Sequence, residues 1–568
     1  LTSRRARFPE IPTVLVAALL AGPVLAGLAG TVLPAFGYLP VLGYDSFSLA
    51  PFKDLFAVPG LAVSAKLSFA TGLSASLLSL AIVLVFTAGW SGTATFRRLT
   101  RFVSPLLSVP HAAAAIGLAF LIAPSGFLVR AVSPWATGWT RPPDVLILND
   151  PLGLAMTFGL VAKEVPFLFL MTLAALNRPH IRDAYRAGAS LGYGRMATFF
   201  KIVLPQIYPL IRLPMLAVIA YATSVVDVAV ILGPTTPAPL APRLVTWMSD
   251  PDLSRRLMAS AGALLQLGLT TGALLCYLVL ERLARSVLLR GLSSGQRRRR
   301  DGPGRIAGLV LMVAVIAVMV LSLMLLGLWS TTRSWWFPAV LPQSWDLTRL
   351  ADTVTMGAPA LWATLALAAA AAGLATGLTL WLLEARDQSG RRAGNKLKVL
   401  VFLPLLLPQI GFLFGLQMLF LRIGLSGSFS AVLLAHLVFV FPYAVLSLSD
   451  PWSRLDPRYA KAAAAIGASR MRIFWQIRLP LLLRPVLVTL AVAAAVSVGQ
   501  YLPTLMIGAG RIVTITSESV ALASGGNRPA AALYALMQLL IPLAGFVLAA
   551  LVPAVLHRNR AAMRLERR

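Results

Sequence analysis

A chain of 568 residues with 58% hydrophobic and only 12% charged side chains lies far from soluble composition, in which about a quarter of residues are charged. Its mean hydropathy of +0.81 assigns it to a bilayer. In a soluble protein the net charge of +30 would point to nucleic acid, but in a membrane chain Lys and Arg orient the loops, so no nucleic-acid partner is expected. The one cysteine, Cys276, sits in an apolar run and excludes a disulfide framework or a cysteine-based metal site.

About 20 apolar residues are needed to cross the hydrocarbon core, and twelve such windows follow one another. In the first half they are Ile11 to Phe36, Leu61 to Gly89, Pro105 to Val129, Pro151 to Leu176, Pro209 to Gly233 and Leu257 to Leu280. In the second they are Ile306 to Ser330, Gly357 to Leu383, Val399 to Leu421, Phe429 to Leu448, Val486 to Gly508 and Ala530 to Leu556. Arg4, Arg5 and Arg7 precede the first window as they would a signal peptide, but its apolar run exceeds the usual h-region, so it reads as a span. With both termini in the cytoplasm, the alternation puts most Lys and Arg on the inner side, around Arg97, Arg186, Arg297, Arg391 and Lys461. The basic run Arg297 to Arg300 then falls in a polar cytoplasmic linker, 291–305, between a first repeat (1–290) and a second (306–568).

The halves are related by sequence. Arg186 to Pro205, "RAGASLGYGRMATFFKIVLP", aligns without gaps to Lys461 to Pro480, "KAAAAIGASRMRIFWQIRLP", and nine of twenty positions are identical. Ala187, Gly192, Arg195, Phe199, Ile202 and Pro205 match Ala462, Gly467, Arg470, Phe474, Ile477 and Pro480. Weaker echoes keep the same order: "PHAAAAIG" with "PQIGFLFG", Pro166 with Pro442, "SVVD" with "SVGQ", "VTWMSD" with "VTITSE". The chain reads as a tandem duplication, and six spans per copy put both stretches on one side. Each stretch reads as an alanine-rich helix, a glycine stop and a second helix with Phe and Ile on one face. An interfacial amphipathic helix held by Arg and Lys would satisfy the same spacing.

The doubled pattern, Gly, six residues, Phe, two residues, Ile, one residue, Leu-Pro, resembles the EAA loop of permease subunits of binding-protein-dependent ABC importers. Two such loops in one chain are similar to the fused permeases of ferric-iron and thiamine importers. The resemblance implies an all-α fold of twelve transmembrane helices in two parallel six-helix repeats, in a bacterial inner membrane. It implies loops (182–209 and 456–485) that dock two copies of a separate ATPase subunit, and a solute-binding protein that delivers a small solute outside. Where that family usually has Glu, this chain has Arg186 and Lys461, so the acid-to-base contact does not carry over; Asp183 and Asp456, slightly earlier, are the acids that would replace it.

No GxxxxGK[ST] phosphate loop occurs, so no enzymatic activity is expected here and ATP hydrolysis would belong to the partner. His111, His180, His436 and His557 have no ligand spacing, so neither metal nor cofactor is expected; His111, after Pro110, reads as a buried, hydrogen-bonded residue near a helix break. Polar residues inside spans are costly and informative. Lys163 and Glu164 adjoin Pro166, and Asp227 matches Gln500 across the repeat, with Ser224 and Ser497 one turn before. Two readings are open at these positions, the lining of a translocation pathway or hydrogen bonds between helices. "VTWMSD" and "VTITSESVALASGGNRP" read as external loops; the resemblance implies a periplasmic gate or a docking surface for the solute-binding protein, whereas local polarity alone implies solvated loops. A secondary transporter of the major facilitator type shares the twelve-helix, two-half plan, but "SGTATFRRLTRF" lacks the acid its loop between helices two and three would carry.

Overall fold

The computed structural model describes residues 11–293, 297, 301–389 and 395–556. Arg4, Arg5, Arg7, Arg298 to Arg300, Arg391 and His557 fall outside them. In the first half, α1 (Ile11–Ala35), α2 (Leu61–Trp90), α3 (His111–Ile122) and α4 (Leu154–Leu176) are followed by α5 (Pro179–Ser190) and α6 (Arg195–Thr198). A π turn (Phe199–Val203) then leads into α7 (Leu204–Thr223), α8 (Asp227–Leu232), α9 (Leu240–Met248) and α10 (Arg255–Ser293). The second half begins with α11 (Gly302–Ser330) and a small hairpin, β1 (Thr332–Ser334) with β2 (Ser344–Trp345). It continues with α12 (Ala358–Ser389), α13 (Asn395–Leu406), α14 (Ile410–Arg422) and α15 (Phe429–Ser453). After α16 (Pro457–Ala465) and α17 (Arg470–Ile473) a second π turn (Phe474–Arg478) precedes α18 (Leu479–Leu481), α19 (Leu483–Val498), α20 (Leu502–Gly508), α21 (Ile515–Ser524) and α22 (Arg528–Leu556).

Ten of these helices or helix runs are long and apolar enough to cross a membrane, and two bent pairs bring the total among the described residues to twelve. The expected window from Val399 is one bent pair, α13 and α14 at 99°. The other pair, Arg470–Leu481 with Leu483–Val498 at 76°, begins before the expected window Val486 to Gly508, which is itself broken between α19 and α20. Proline explains both bends. Pro408 lies in the break between α13 and α14, where Leu407 is no longer helical, and Pro485, the third residue of α19, has no N–H to give to the Leu481 carbonyl across the second bend.

Three further expectations need correction. The window Pro209 to Gly233 is not one helix: α7 ends at Thr223 and a new helix starts at Asp227. Ser224 bonds back to the Ala220 carbonyl at 2.8 Å, a side-chain competitor for the helical ladder, while Asp227 suits the positive end of the next helix. "VTWMSD" and "VTITSE" are not solvated loops; they belong largely to the short helices α9 and α21, in which Leu244, Trp247, Ile515 and Ser519 are buried. The polar linker is narrower than its composition suggests, because α10 runs on through Ser293 and α11 starts at Gly302.

The halves exchange their first helices. α1 packs on α14 of the second half as well as on α10 of its own, and α11 packs on α2 and α3 of the first half as well as on α22 of its own. Small residues make both crossings possible, since without a hydrophobic drive inside lipid, helices associate where backbones can approach closely. A Cβ added at Gly415 would stand 2.0 Å from the Gly27 carbonyl oxygen, and one at Gly117 2.7 Å from the Ser322 carbonyl oxygen. Gly415 and Gly117 are equivalent in the "PQIGFLFG" and "PHAAAAIG" echoes, so one device recurs at both crossings. At the first, the Gly415 N–H also donates to the Thr31 hydroxyl at 3.2 Å.

On the face opposite the twenty-residue repeats, the hairpin is tied to the first half by Arg130. Its guanidinium donates to the carbonyls of Trp336 (3.0 Å) and Ala339 (2.9 Å) and lies over the Trp335 ring at 5.1 Å.

Candidate functional site

The two repeated stretches fold alike. α5 and α16 each end at a glycine in the left-handed region, Gly192 (φ 77°) and Gly467 (φ 84°). Each stop is a Schellman closure: Tyr193 N–H reaches the Gly188 carbonyl at 3.1 Å, and Ala468 N–H the Ala463 carbonyl at 3.0 Å. Both second helices open into a π turn that starts on the repeated Phe and ends just before Leu-Pro. A proline ring crowds the carbonyl four residues back, and at Pro205 and Pro480 the widened turn lies where that crowding would fall.

What the stretches present outward differs from what they keep in. Arg186, Ala187, Lys461, Ala462 and Arg470 are exposed, as are Leu191, Ile466, Met471 and Trp475. Phe199 is fully buried among Ile181, Ala184, Val203 and Ile207, so it braces its own loop from inside; Ile202, Phe474 and Ile477 are half-buried. Neither nearby acid is unengaged: Asp183 pairs with Arg186 at 3.3 Å, and Asp456 caps α16 by accepting the Arg458 N–H at 2.9 Å. Arg195 donates to the Ser91 carbonyl. Where the first loop has buried Val203, the second has Arg478, which bonds Glu384 and Asp387 of α12 at 2.5 Å each and lies over the Trp452 ring at 5.5 Å. A cavity of about 220 Å³ lies beside this ion cluster, lined by Ala460, Arg470 and Ile473 as well.

At mid-chain depth the polar candidates are all buried, but they divide into two groups. Glu164 of α4 meets His111 at the start of α3, Oε1 to Nε2 at 3.2 Å. The His111 ring lies 4.5 Å from that of Tyr221, and the Tyr221 hydroxyl donates to Asp227 Oδ1 at 3.3 Å. Two tyrosines of the second half lie nearby, Tyr443 in the neighbourhood of Glu164 and Tyr501 in that of Asp227. Lys163 points elsewhere and donates to the Leu107 carbonyl at 3.1 Å.

The second group is Ser497, bonded to His436 Nδ1 at 2.9 Å, with Thr504 on Nε2 at the same distance. The side-chain amide oxygen of Gln500 is buried with no partner, and the Ser224 hydroxyl bonds back to carbonyls of α7. The repeat-matched pair Asp227 and Gln500 therefore sits in unlike surroundings. His111 is hydrogen-bonded at a helix break, as its place after Pro110 suggests, but it is half-buried, with 29% of its side chain exposed, rather than buried as expected, and nothing in the sequence points to its partner. Tyr221, Tyr443 and Tyr501 were missed, and only the adjacency of Tyr501 to Gln500 hinted at one of them.

Among known proteins, residues 382–558 match the family model described as "Binding-protein-dependent transport system inner membrane component". The chain is 34% identical over 511 residues to the inner membrane ABC transporter permease protein YnjC of Escherichia coli (strain K12), covering 89% of this chain and 91% of that one. It is 31% identical over 147 residues to the molybdenum transport system permease protein ModB of Mycobacterium tuberculosis, covering 24% and 55%. With the spermidine/putrescine transport system permease protein PotC of Haemophilus influenzae it shares 33% identity over 116 residues, covering 20% and 44%.

Proposed function

The chain belongs to the family of inner-membrane ABC transporter permeases of binding-protein-dependent systems, and from that premise we propose that it forms the translocation pathway of an ABC importer and receives its driving force through the two repeated loops. The observation that carries this reading is the twofold recurrence of one surface device: an exposed helix, a left-handed glycine and a π-turned second helix, on a single face. Each copy offers a short helix with exposed small residues, Ala187 or Ala462, beside exposed apolar ones, Leu191 or Ile466, a form suited to a groove in a partner protein.

The partners are two ATPase subunits, one per loop, and on the opposite face a solute-binding protein. Closure of the ATPases on ATP draws the loops together, the halves rock about their exchanged helices, and the centre faces outward; hydrolysis returns it inward. The loop face is cytoplasmic and so are both termini. The repeats span residues 1–290 and 306–568. The His111, Glu164, Tyr221 and Asp227 cluster, with Tyr443 and Tyr501 facing it, lines the path where the halves meet; Lys163 and Ser224 support it from the first half, Ser497 and Gln500 from the second.

Two measurements test this. Ala187→Glu with Ala462→Glu puts bulk and charge on exposed positions of both loops, and capture of the cognate ATPase is expected to fall more than tenfold with the melting temperature unchanged. Full capture by the double variant would remove the docking role. Glu164→Gln with Asp227→Asn is expected to leave ATPase capture intact but to lower uptake of the solute delivered by the cognate binding protein at least tenfold. Uptake at the parent rate would return these carboxylates to a helix-packing role.

A further inference from the structure

Asp301 stands at the N-cap of α11, the position from which an aspartate ordinarily accepts an N–H of its own helix. It makes no such bond. The second residue of α11 is Pro303, which has no N–H to offer. The Asp301 carboxylate instead accepts the backbone N–H of Met196, in the first turn of α6, at 2.9 Å.

The other repeat shows what α6 lacks. α17 follows Ser469, whose hydroxyl accepts the Arg472 N–H at 3.3 Å. The matching residue before α6 is Gly194, which has no side chain, and α6 has no cap from its own segment. The second repeat caps its loop helix itself, whereas the first takes its cap from the start of the other half.

Neighbouring contacts hold the two together. A Cβ at Gly304 would stand 2.8 Å from the Met196 sulfur, so α11 lies flush against that side chain; its repeat partner Met471 is 68% exposed. Trp90, at the end of α2, donates to the Arg305 carbonyl at 2.8 Å, and the Arg305 guanidinium lies 4.9 Å above the Trp90 ring.

We propose that Asp301 is a positioning residue that ties the first docking loop to α11, so that a displacement of that loop is handed directly to the first helix of the second half. α11 crosses the whole bundle and leads into the hairpin held by Arg130, so the tie connects one face of the protein to the other. The inference rests on the docking role proposed for the loops.

The test uses the full chain with its cognate ATPase in liposomes. Cys276→Ser removes the one cysteine, and Arg333→Cys places a thiol on the exposed hairpin beyond α11. Maleimide labelling of that thiol is measured with and without ATP and vanadate. The chain with Asp301 is expected to change its labelling rate at least threefold on nucleotide trapping. Asp301→Ala is expected to abolish the change.

Adding Gly194→Ser to Asp301→Ala supplies the cap that the second repeat uses. It is expected to restore hydrogen-exchange protection at 195–203 but not the nucleotide-dependent labelling. Labelling that still responds in Asp301→Ala, that returns with Gly194→Ser, or that never responds with Asp301 present would overturn the tie. Failure of the parent chain to capture the ATPase would instead overturn the docking role.

Discussion

Replacing Gly415 with leucine is expected to destabilise the protein by about 3 kcal/mol, the upper part of the range for overpacking a filled interior, and to remove most folded permease from the membrane. The reason is local. A Cβ at this position would stand 2.0 Å from the Gly27 carbonyl and 2.6 Å from the Gly30 carbonyl carbon, and backbone cannot swing aside as a flexible side chain can. The helices must separate, and the bond from Gly415 N–H to Thr31 at 3.2 Å is lost with them. Gly373→Leu is the internal control: nothing lies within 4 Å of its added Cβ, and a helix-favouring residue there is expected to be neutral or to stabilise by up to about 1 kcal/mol. Melting of the purified protein checks both. Equal melting temperatures for the two variants would mean that α1 does not depend on its contact with α14.

The second large effect is expected at Arg478. Its guanidinium holds Glu384 and Asp387 together, and the side chains of Arg478 and Glu384 are 17% and 16% exposed. Arg478→Val installs the residue of the first repeat but takes the guanidinium away from both carboxylates. Breaking a buried pair from one side costs about 3 to 5 kcal/mol; with Asp387 half in solvent the expected loss is about 2 to 3 kcal/mol. Adding Glu384→Leu removes the less exposed of the two carboxylates and is expected to recover part of the loss. Proteolysis of the second loop in the purified protein gives the readout, with the first loop as reference. A single variant as resistant as the parent would show that the ion cluster does not hold the loop.

The spans and the repeat were legible because they depend on local signals. Apolar runs located the twelve windows, and the ungapped match around Gly192 and Gly467 located both loops together with their left-handed stops. What could not be read depends on contacts between distant residues. Nothing beside Glu164 announces His111, and nothing near Lys163 shows that it turns toward Leu107 rather than toward its neighbour. Asp301 looks like an ordinary linker acid. Its role emerges only when α6 is seen to start after a glycine where α17 starts after Ser469. The break at Asp227 was missed for a related reason: valines around it read as span, and the competing bond from Ser224 to Ala220 is a choice of rotamer that composition does not carry.

The exchange of first helices also sets an order in time. Thr31 and Gly415 are 384 residues apart, and a ribosome adding about 5 to 20 residues per second needs roughly 20 to 80 s to make the second after the first. Throughout that interval α1 lies in lipid with the face of Gly27 and Gly30 uncovered. Such a face lets any helix approach closely, so the wait leaves it open to a wrong neighbour until α14 covers it. The contact between α1 and α14 thus cannot close until α14 has been made, although α1 can already lie against α10 of its own half, so a chain halted before α14 would leave that glycine face open.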